Sequence, residues 1–184
     1  MTLYRGTFVD CPDDPFAGGA LRTLDGALLV EDGVIVARGS RTELAGLPGE
    51  EQEVDLAGGL VVPGFVDTHV HSPQVRVIGG LGMPLLEWLD ACALPEEQRL
   101  AEPGYARAIA REFLGSLARA GTTTALVFGA HYAAAMDEFF AEADASGLRI
   151  ASGMVVSDRY LPAPLLTTPE RALAESLDLA SRWH

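Results

Sequence analysis

The stretch LVVPGFVDTHVHSPQ, residues 60–74, carries the strongest structural signal of the sequence. A mostly apolar run leads through Pro63 and Gly64 into polar residues. Strands of parallel sheets have this composition, because helices cover both of their faces. We therefore predict that residues 60–71 form a strand buried on both faces and that its polar end lies at a functional rim.

Two histidines, His69 and His71, stand at the end of this predicted strand. Side chains at positions i and i+2 of a strand point to the same side, about 6.5–7 Å apart. Imidazole is a common ligand of zinc and iron, so the pair is a candidate for two ligands of one ion. Asp67 shares that side and could support a ligand by hydrogen bonding. The alternative is a pair of solvated loop histidines.

A catalytic zinc ion usually has three protein ligands and a water, so the pair needs a further ligand. The remaining candidates are His131, His184, the carboxylates and the cysteines Cys11 and Cys92. His131 follows a second apolar segment and fits either a pocket wall or the entry of a helix. We expect His184 to be solvated, and we expect the missing ligands to lie beyond it.

The first 60 residues have the pattern of short strands separated by turns. Leu3–Asp10 resembles a strand, and Leu28–Val30 and Val34–Ala37 form a predicted hairpin whose turn contains Gly33. A further short strand is predicted in residues 51–59, where it ends at a glycine pair.

From residue 60 onward, predicted strands alternate with predicted helices. The strands are 60–71, 122–131 and 148–158, and the helices are 84–93, 102–121, a segment around residues 136–143 closed by Gly147, and 168–184, where Thr168 is the N-cap and Pro169 the first helical residue. The helical period places Ile109, Phe113, Leu117 and Ala120 on one buried face, Met136, Phe140 and Ala143 on another, and Leu173, Leu177 and Ala180 on a third.

This alternation predicts an α/β fold, because parallel strands are joined by crossover helices. Three strand–helix units match the first three βα units of a (β/α)8 TIM-type barrel, which needs eight. We expect the barrel to be incomplete and the chain to be the N-terminal part of a larger protein. A complete open three-layer domain is the alternative.

Composition restricts the class of protein. The chain has 184 residues, is 48% hydrophobic and carries a net charge of −13, and it contains arginine but no lysine. An acidic surface repels phosphate backbones, so we expect no nucleic acid partner. We find no signal peptide and no apolar stretch long enough for a membrane span, and we expect no membrane partner. Two isolated cysteines suit a cytoplasmic protein.

The segment PGFVDTHVH, residues 63–71, resembles the first-strand signature of the amidohydrolase superfamily. Together with HVHSPQ, MPLLEWL, GTTTALVFG and SDRYLPAPLLTTPERA, it resembles the guanine deaminase family within that superfamily. The resemblance implies a metal-containing (β/α)8 barrel beside a small β-sandwich built from both chain ends. Residues 1–62 would then be the N-terminal part of the sandwich, and residues 63–184 a partial barrel. Tyr160 departs from the family, in which asparagine is more usual.

The resemblance implies a zinc-dependent hydrolase that removes ammonia from guanine and leaves xanthine, with iron as a possible metal. It assigns His69 and His71 to the metal, and His71, Ser72, Pro73 and Gln74 to the purine substrate. A glutamine suits a purine edge, because its amide is both donor and acceptor. The resemblance also implies a homodimer for the full-length protein and places the general acid/base glutamate beyond His184, so that no catalytic residue lies in this chain.

Trp88 has two interpretations, as a wall of the substrate pocket or as a core residue of a short amphipathic helix. Two alternatives for the function also stay open. One is another aminohydrolase of the superfamily, acting on a pterin, triazine or adenosine-like ring. The other is a non-catalytic truncated product. We expect the 184-residue chain to be inactive alone.

Overall fold

The computed structural model describes residues 1–40, 42–44, 46 and 52–184. Within them the chain forms two compact units, Met1–Pro63 and Gly64–His184, called here the small unit and the large unit. Among the described residues, none of the helices combines the length and the apolar character that crossing a membrane requires.

The small unit contains a four-stranded sheet in the order β3-β2-β1-β4. Its strands are β1 (Thr2–Asp10), β2 (Arg22–Glu31), β3 (Val34–Gly39) and β4 (Glu53–Val61). β1 pairs with β2 antiparallel and with β4 parallel, and β2 pairs with β3 antiparallel. The buried side chains Leu3, Ala27, Leu29 and Leu44 form its core.

The predicted hairpin of the small unit is confirmed. Asp32 and Gly33 connect β2 to β3 with φ values of 48° and 79°. Positive φ at both central residues is the geometry of a tight hairpin turn that follows the twist of the strands. The predicted end of β4 is wrong, because the strand continues past Gly58 to Val61. Gly58 has a φ of 88°, and the pairing with β1 shifts register there. Glu51, the predicted first residue, lies outside the described residues.

The large unit contains three parallel strands in the order β5-β6-β7: Phe65–His71, Thr122–Phe128 and Arg149–Gly153. Helices α1 (Leu85–Trp88), α2 (Leu94–Arg99) and α3 (Pro103–Arg119) join β5 to β6. Helix α4 (Ala133–Ser146) joins β6 to β7, and α5 (Pro169–Trp183) follows β7. The predicted α/β class is therefore confirmed.

The helix predicted over residues 84–93 is longer than expected. A π-helical turn at Leu89–Ala93 connects α1 directly to α2, so helical structure continues to Arg99. The other helix ends follow their sequence signals. Gly121 and Gly147, with φ values of 80° and 72°, follow α3 and α4. Thr168 caps α5 by accepting a hydrogen bond from the backbone N–H of Arg171 at 3.2 Å.

The core of the large unit lies between one face of the sheet and helices α3 and α4. Ile109, Phe113 and Leu117 of α3 are buried there with Met136 and Phe139 of α4. Burying a side chain of this size contributes about 1.5–3 kcal/mol, so this layer dominates the stability of the unit. Ala125 and Val127 of β6 are buried in the same core, whereas Leu126 and Phe128 are exposed.

Three predicted burial patterns are wrong. β5 is not buried on both faces, since Phe65 and Val66 are 59% and 64% exposed. The reasons are that α3 and α4 cover a single face of this sheet and that β5 is its edge strand. Ala120 of the predicted α3 face is also exposed, beyond the last turn of the helix.

Helix α5 buries a different side from the predicted one. Leu173 and Leu177 are 62% and 61% exposed and Ala180 is exposed, whereas Leu179 is buried. The helix is held against α4 by contacts at its C-terminal end. The Trp183 ring lies 6.0 Å from that of Phe140, and Arg182 forms an ion pair with Asp137.

Candidate functional site

The two histidines of β5 lie together at the carboxyl end of the strand. Their ring centroids are 5.4 Å apart, with His69 exposed and His71 half-buried. The pairing of β5 with β6 shifts register between Asp67 and Val70, so this end of the strand is irregular. Asp67 accepts a hydrogen bond from the backbone N–H of His69 at 3.0 Å. The predicted support from Asp67 therefore reaches the backbone of His69.

Phe128 brings a third ring to the histidines. It ends β6, where it pairs directly with His71. Its centroid lies 4.7 Å from both imidazoles, and its ring is stacked on His71 at an interplanar angle of 12°. Phe128 was not among the site residues predicted from the sequence. It could have been found because the carboxyl ends of neighbouring parallel strands meet at one edge of a sheet, and Phe128 lies near the end of the second predicted strand.

His71 is held in its neutral form. Burial lowers its pKa below the usual 6.5, the neighbouring His69 lowers it further, and Glu97 acts in the opposite direction. At neutral pH the imidazole therefore keeps a free lone pair, which is what metal coordination requires.

The segment that follows β5 turns into the fold. Ser72 is 5% exposed, and its backbone N–H donates to the carbonyl oxygen of Phe128 at 3.2 Å. Pro73 is fully buried. The structure thus places these two predicted substrate residues inside the fold, and Ser72 joins the end of β5 to the end of β6. Gln74, the next predicted substrate residue, is half-buried.

A buried carboxylate, Glu97 of α2, joins two of the predicted polar residues. The amide Nε2 of Gln74 donates to Oε1 of Glu97 at 2.9 Å. Nδ1 of His131 lies 3.1 Å from Oε2 of the same residue. The His131 side chain is 4% exposed, and neither ring nitrogen has a well-aligned hydrogen bond within the described part of the chain. His131 itself lies three residues after the end of β6, which stops at Phe128.

Burial by itself raises the pKa of Glu97, but the contacts from His131 and Gln74, with a smaller contribution from His71, outweigh it and leave this pKa below its usual 4.5. Glu97 is therefore an ionised carboxylate at neutral pH. Sequence reasoning missed it, because it lies 23 residues after Gln74 on a helix that carries no recognisable motif.

Trp88 and His184 lie in other surroundings. Trp88 is half-buried at the end of α1, and a methyl group built on Gly80 would be 2.9 Å from its Nε1 and 3.3 Å from Sγ of Cys92. The indole therefore packs closely on the backbone of the loop that precedes α1. His184 is exposed after the last turn of α5.

The arrangement offers two imidazoles to a metal ion. No group of three histidine, cysteine, aspartate or glutamate side chains is close enough to hold a metal in the ranges 1–40, 42–44, 46 and 52–184. Chemically, the site can supply two imidazole ligands beside an aromatic wall, with an ordered carboxamide nearby.

Residues 60–182 match the family model described as "Amidohydrolase family". The whole chain is 59% identical to a protein of Deinococcus radiodurans named "Probable guanine deaminase", of which it covers 44%. It is 38% identical to the guanine deaminase of Escherichia coli K12, of which it covers 43%.

Two solved structures share the fold over the full chain. The E. coli guanine deaminase structure gives a TM-score of 0.90 at 37% identity, and the chain covers 44% of it. Guanine deaminase from Bradyrhizobium japonicum gives 0.89 at 36% identity, with 41% of that chain covered. The chain thus spans less than half the length of these relatives.

Proposed function

This chain belongs to the amidohydrolase family, and from that membership we propose that the protein containing it is a guanine deaminase, which hydrolyses guanine to xanthine and ammonia. The observation that carries the proposal is 59% identity along the entire chain to the D. radiodurans protein. The position of His69 and His71 at the carboxyl end of a parallel strand supports it, because active sites of barrel enzymes are built at that end.

We propose that the two units are parts of a larger fold. The large unit supplies the first three βα units of a (β/α)8 barrel, and the small unit supplies strands to a small β-sandwich. The TM-score of 0.90 over the full chain supports this assignment. So does the open face of the large sheet, where Leu126 and Phe128 are 51% and 40% exposed. In a closed barrel that face would be the interior.

The metal of the proposed enzyme is zinc, with iron as the alternative. His69 and His71 fit as two of its ligands, because they are close together and His71 stays neutral. When bound, such a metal lowers the pKa of a water molecule and so supplies a nucleophile near neutral pH. Phe128 covers one side of both imidazoles and keeps bulk water from that side.

The chain's further contribution is to hold the purine. Gln74 presents an amide that can both donate and accept. Ser72 anchors the chain just before it through the hydrogen bond to Phe128, and Pro73 is buried beside it. Trp88 belongs to the proposed pocket as a wall above the loop at Gly80. The general acid/base glutamate and the remaining ligands are assigned to sequence outside this chain. Cytoplasmic location and a homodimer complete the proposal, supported by two free cysteines and by the family resemblance respectively.

The test uses the protein expressed from its complete coding region. We expect xanthine and ammonia from guanine, and about one metal ion per chain, the stoichiometry of a mononuclear catalytic site. His69→Ala and His71→Ala should lose the metal and the activity, whereas His184→Ala, a control histidine at the exposed end of α5, should keep both. A metal-loaded protein that releases no ammonia from guanine contradicts the proposed activity. Full metal content in the His71→Ala variant contradicts the ligand assignment.

A further inference from the structure

We propose that Glu97 is a positioning residue that fixes which way the carboxamide of Gln74 points, so that Gln74 offers its oxygen as an acceptor to the substrate. This inference rests on the proposed function, in which Gln74 contacts the purine. It assigns a role in substrate selection to a helix residue that lies 23 positions away in the sequence.

The carboxamide of a glutamine has two orientations of nearly the same shape. Turning it by half a revolution exchanges an oxygen acceptor for a nitrogen donor, so the shape of a pocket alone does not select one of them. Here a carboxylate lies 2.9 Å from the amide nitrogen of Gln74. An ionised carboxylate only accepts hydrogen bonds, so the nitrogen and not the oxygen must face Glu97.

Burial makes this selection strict. Glu97 is 8% exposed, so no bulk water separates it from the amide. A turned amide would place oxygen against oxygen at hydrogen-bond distance and would leave a buried carboxylate oxygen without a donor. With the nitrogen held by Glu97, Gln74 keeps one N–H and its oxygen for a ligand. That pair matches a purine edge on which a donor stands beside an acceptor.

The carboxylate is itself held from two sides. Its Oε1 accepts from Gln74, and its Oε2 lies 3.1 Å from Nδ1 of His131. Since Gln74 follows β5 and His131 follows β6, Glu97 connects the segments after two neighbouring strands. A rotation of its side chain would break both contacts at once, which is why the carboxylate serves as a fixed reference for the amide.

The experiment is steady-state kinetics of Glu97→Gln in the complete, metal-loaded protein. A glutamine at this position can donate as well as accept, so the amide of Gln74 loses its fixed orientation while the volume stays the same. We expect KM for guanine to rise about tenfold, the effect of one misdirected hydrogen bond of about 1.4 kcal/mol. We expect kcat to stay within about twofold, because ground-state contacts change KM first.

The matched control is Glu96→Gln. Glu96 is the adjacent residue and is 6% exposed, but its carboxylate pairs with Tyr105 and Arg99. This variant should keep the KM of the unaltered protein. In the background Gln74→Ala, the Glu97→Gln change should have no further effect on KM, because its effect passes through the missing amide.

An unchanged KM in folded Glu97→Gln overturns the inference, and so does full additivity with Gln74→Ala. If Glu97→Gln does not fold, Glu97→Asp replaces it, since a carboxylate withdrawn by one methylene no longer reaches both partners, and an unchanged KM there has the same meaning. Absence of guanine turnover in the unaltered, metal-loaded protein is a different outcome and contradicts the proposed function instead.

Discussion

The rings of His71 and Phe128 are stacked, with centroids 4.7 Å apart and an interplanar angle of 12°. The two residues are direct partners in the pairing of β5 with β6, so the register of the sheet creates the contact. The same phenylalanine lies 4.7 Å from His69. One hydrocarbon ring therefore shields both proposed ligands, and its removal has consequences that can be measured.

Replacing Phe128 by alanine should raise the pKa of His71 toward 6.5, because burial is the largest cause of its lowered value. Titration of the ring carbon-bound protons by NMR in metal-free protein measures this change. Leu126→Ala is the matched control, since Leu126 is similarly exposed on the same strand and two residues away. A pKa of His71 that does not move in Phe128→Ala would show that the ring does not cause the shielding.

The free energy of unfolding should fall as the pH decreases from 6.5 through the lowered pKa of His71. In this window the unfolded chain takes up a proton that the folded chain resists, and stability is lost where the unfolded state binds more protons. Above pH 6.5 the contribution of His71 to the free energy of unfolding is fully present. Urea denaturation of metal-free protein at about pH 8 and about pH 5 measures how much the free energy of unfolding changes with pH. His71→Gln should have a shallower slope, and an equal slope would contradict the assignment.

Gly58 and Gly59 of β4 should respond differently to alanine. Gly58 has a φ of 88°, which a side chain tolerates poorly, whereas Gly59 has an ordinary backbone and its nearest neighbour to an added methyl group is 3.7 Å away. We expect Gly58→Ala to cost about 1 kcal/mol or more and Gly59→Ala to stay within about 0.5 kcal/mol. Chemical denaturation compares the two variants. Equal costs would mean that the bulge in β4 does not depend on its left-handed glycine.

Tyr160 is held at a φ of 62°, although it is 94% exposed. Asparagine occupies this backbone region more readily than other non-glycine residues. Tyr160→Asn should therefore be more stable than Tyr160→Ala by about 0.5–1 kcal/mol. Both variants remove the ring and its contact with Arg159, so thermal unfolding of the pair isolates the backbone preference. An alanine variant as stable as the asparagine variant would contradict this.

The 184-residue chain assayed alone should release no ammonia from guanine. The physical reason is that its described residues bring two histidines together but no third ligand, and a catalytic zinc needs three. A coupled ammonia assay with added zinc tests this, with the protein from the complete coding region as positive control. Turnover by the 184-residue chain would show that its residues suffice.

Local signals predicted the turns and caps well. Gly33 at the hairpin, Gly147 after α4 and Thr168 before α5 lie where the sequence placed them, because each acts on its own backbone or on that of its immediate neighbours. The alternation of strands and helices likewise predicted the α/β class, because each element was recognised from its own local pattern. Apolar periods identified the helices themselves.

Burial could not be predicted equally well, since it depends on which partner covers an element. Leu173 and Leu177 have helical spacing but lie on a side of α5 that faces away from α4, whereas Leu179 is buried. The candidate site shows the same limit. His69 and His71 are one residue apart in the sequence and could be found. Phe128 contacts both of them only through sheet pairing, and Glu97 acts on His71 only through the placement of its helix.

The π-helical turn at Leu89–Ala93 connects α1 to α2 without a break. The direction in which Glu97 points from the helix axis therefore depends on the number of residues in the segment before Glu97. One residue more or less in a helix turns everything after it by about 100° around the axis. Similar side chains in this segment would not restore the direction of Glu97 if the segment were longer or shorter by one residue. A homologous enzyme with a single insertion or deletion between Leu85 and Leu94 should therefore not orient the glutamine amide with a carboxylate of α2. Such an enzyme would have to fix the amide by other contacts.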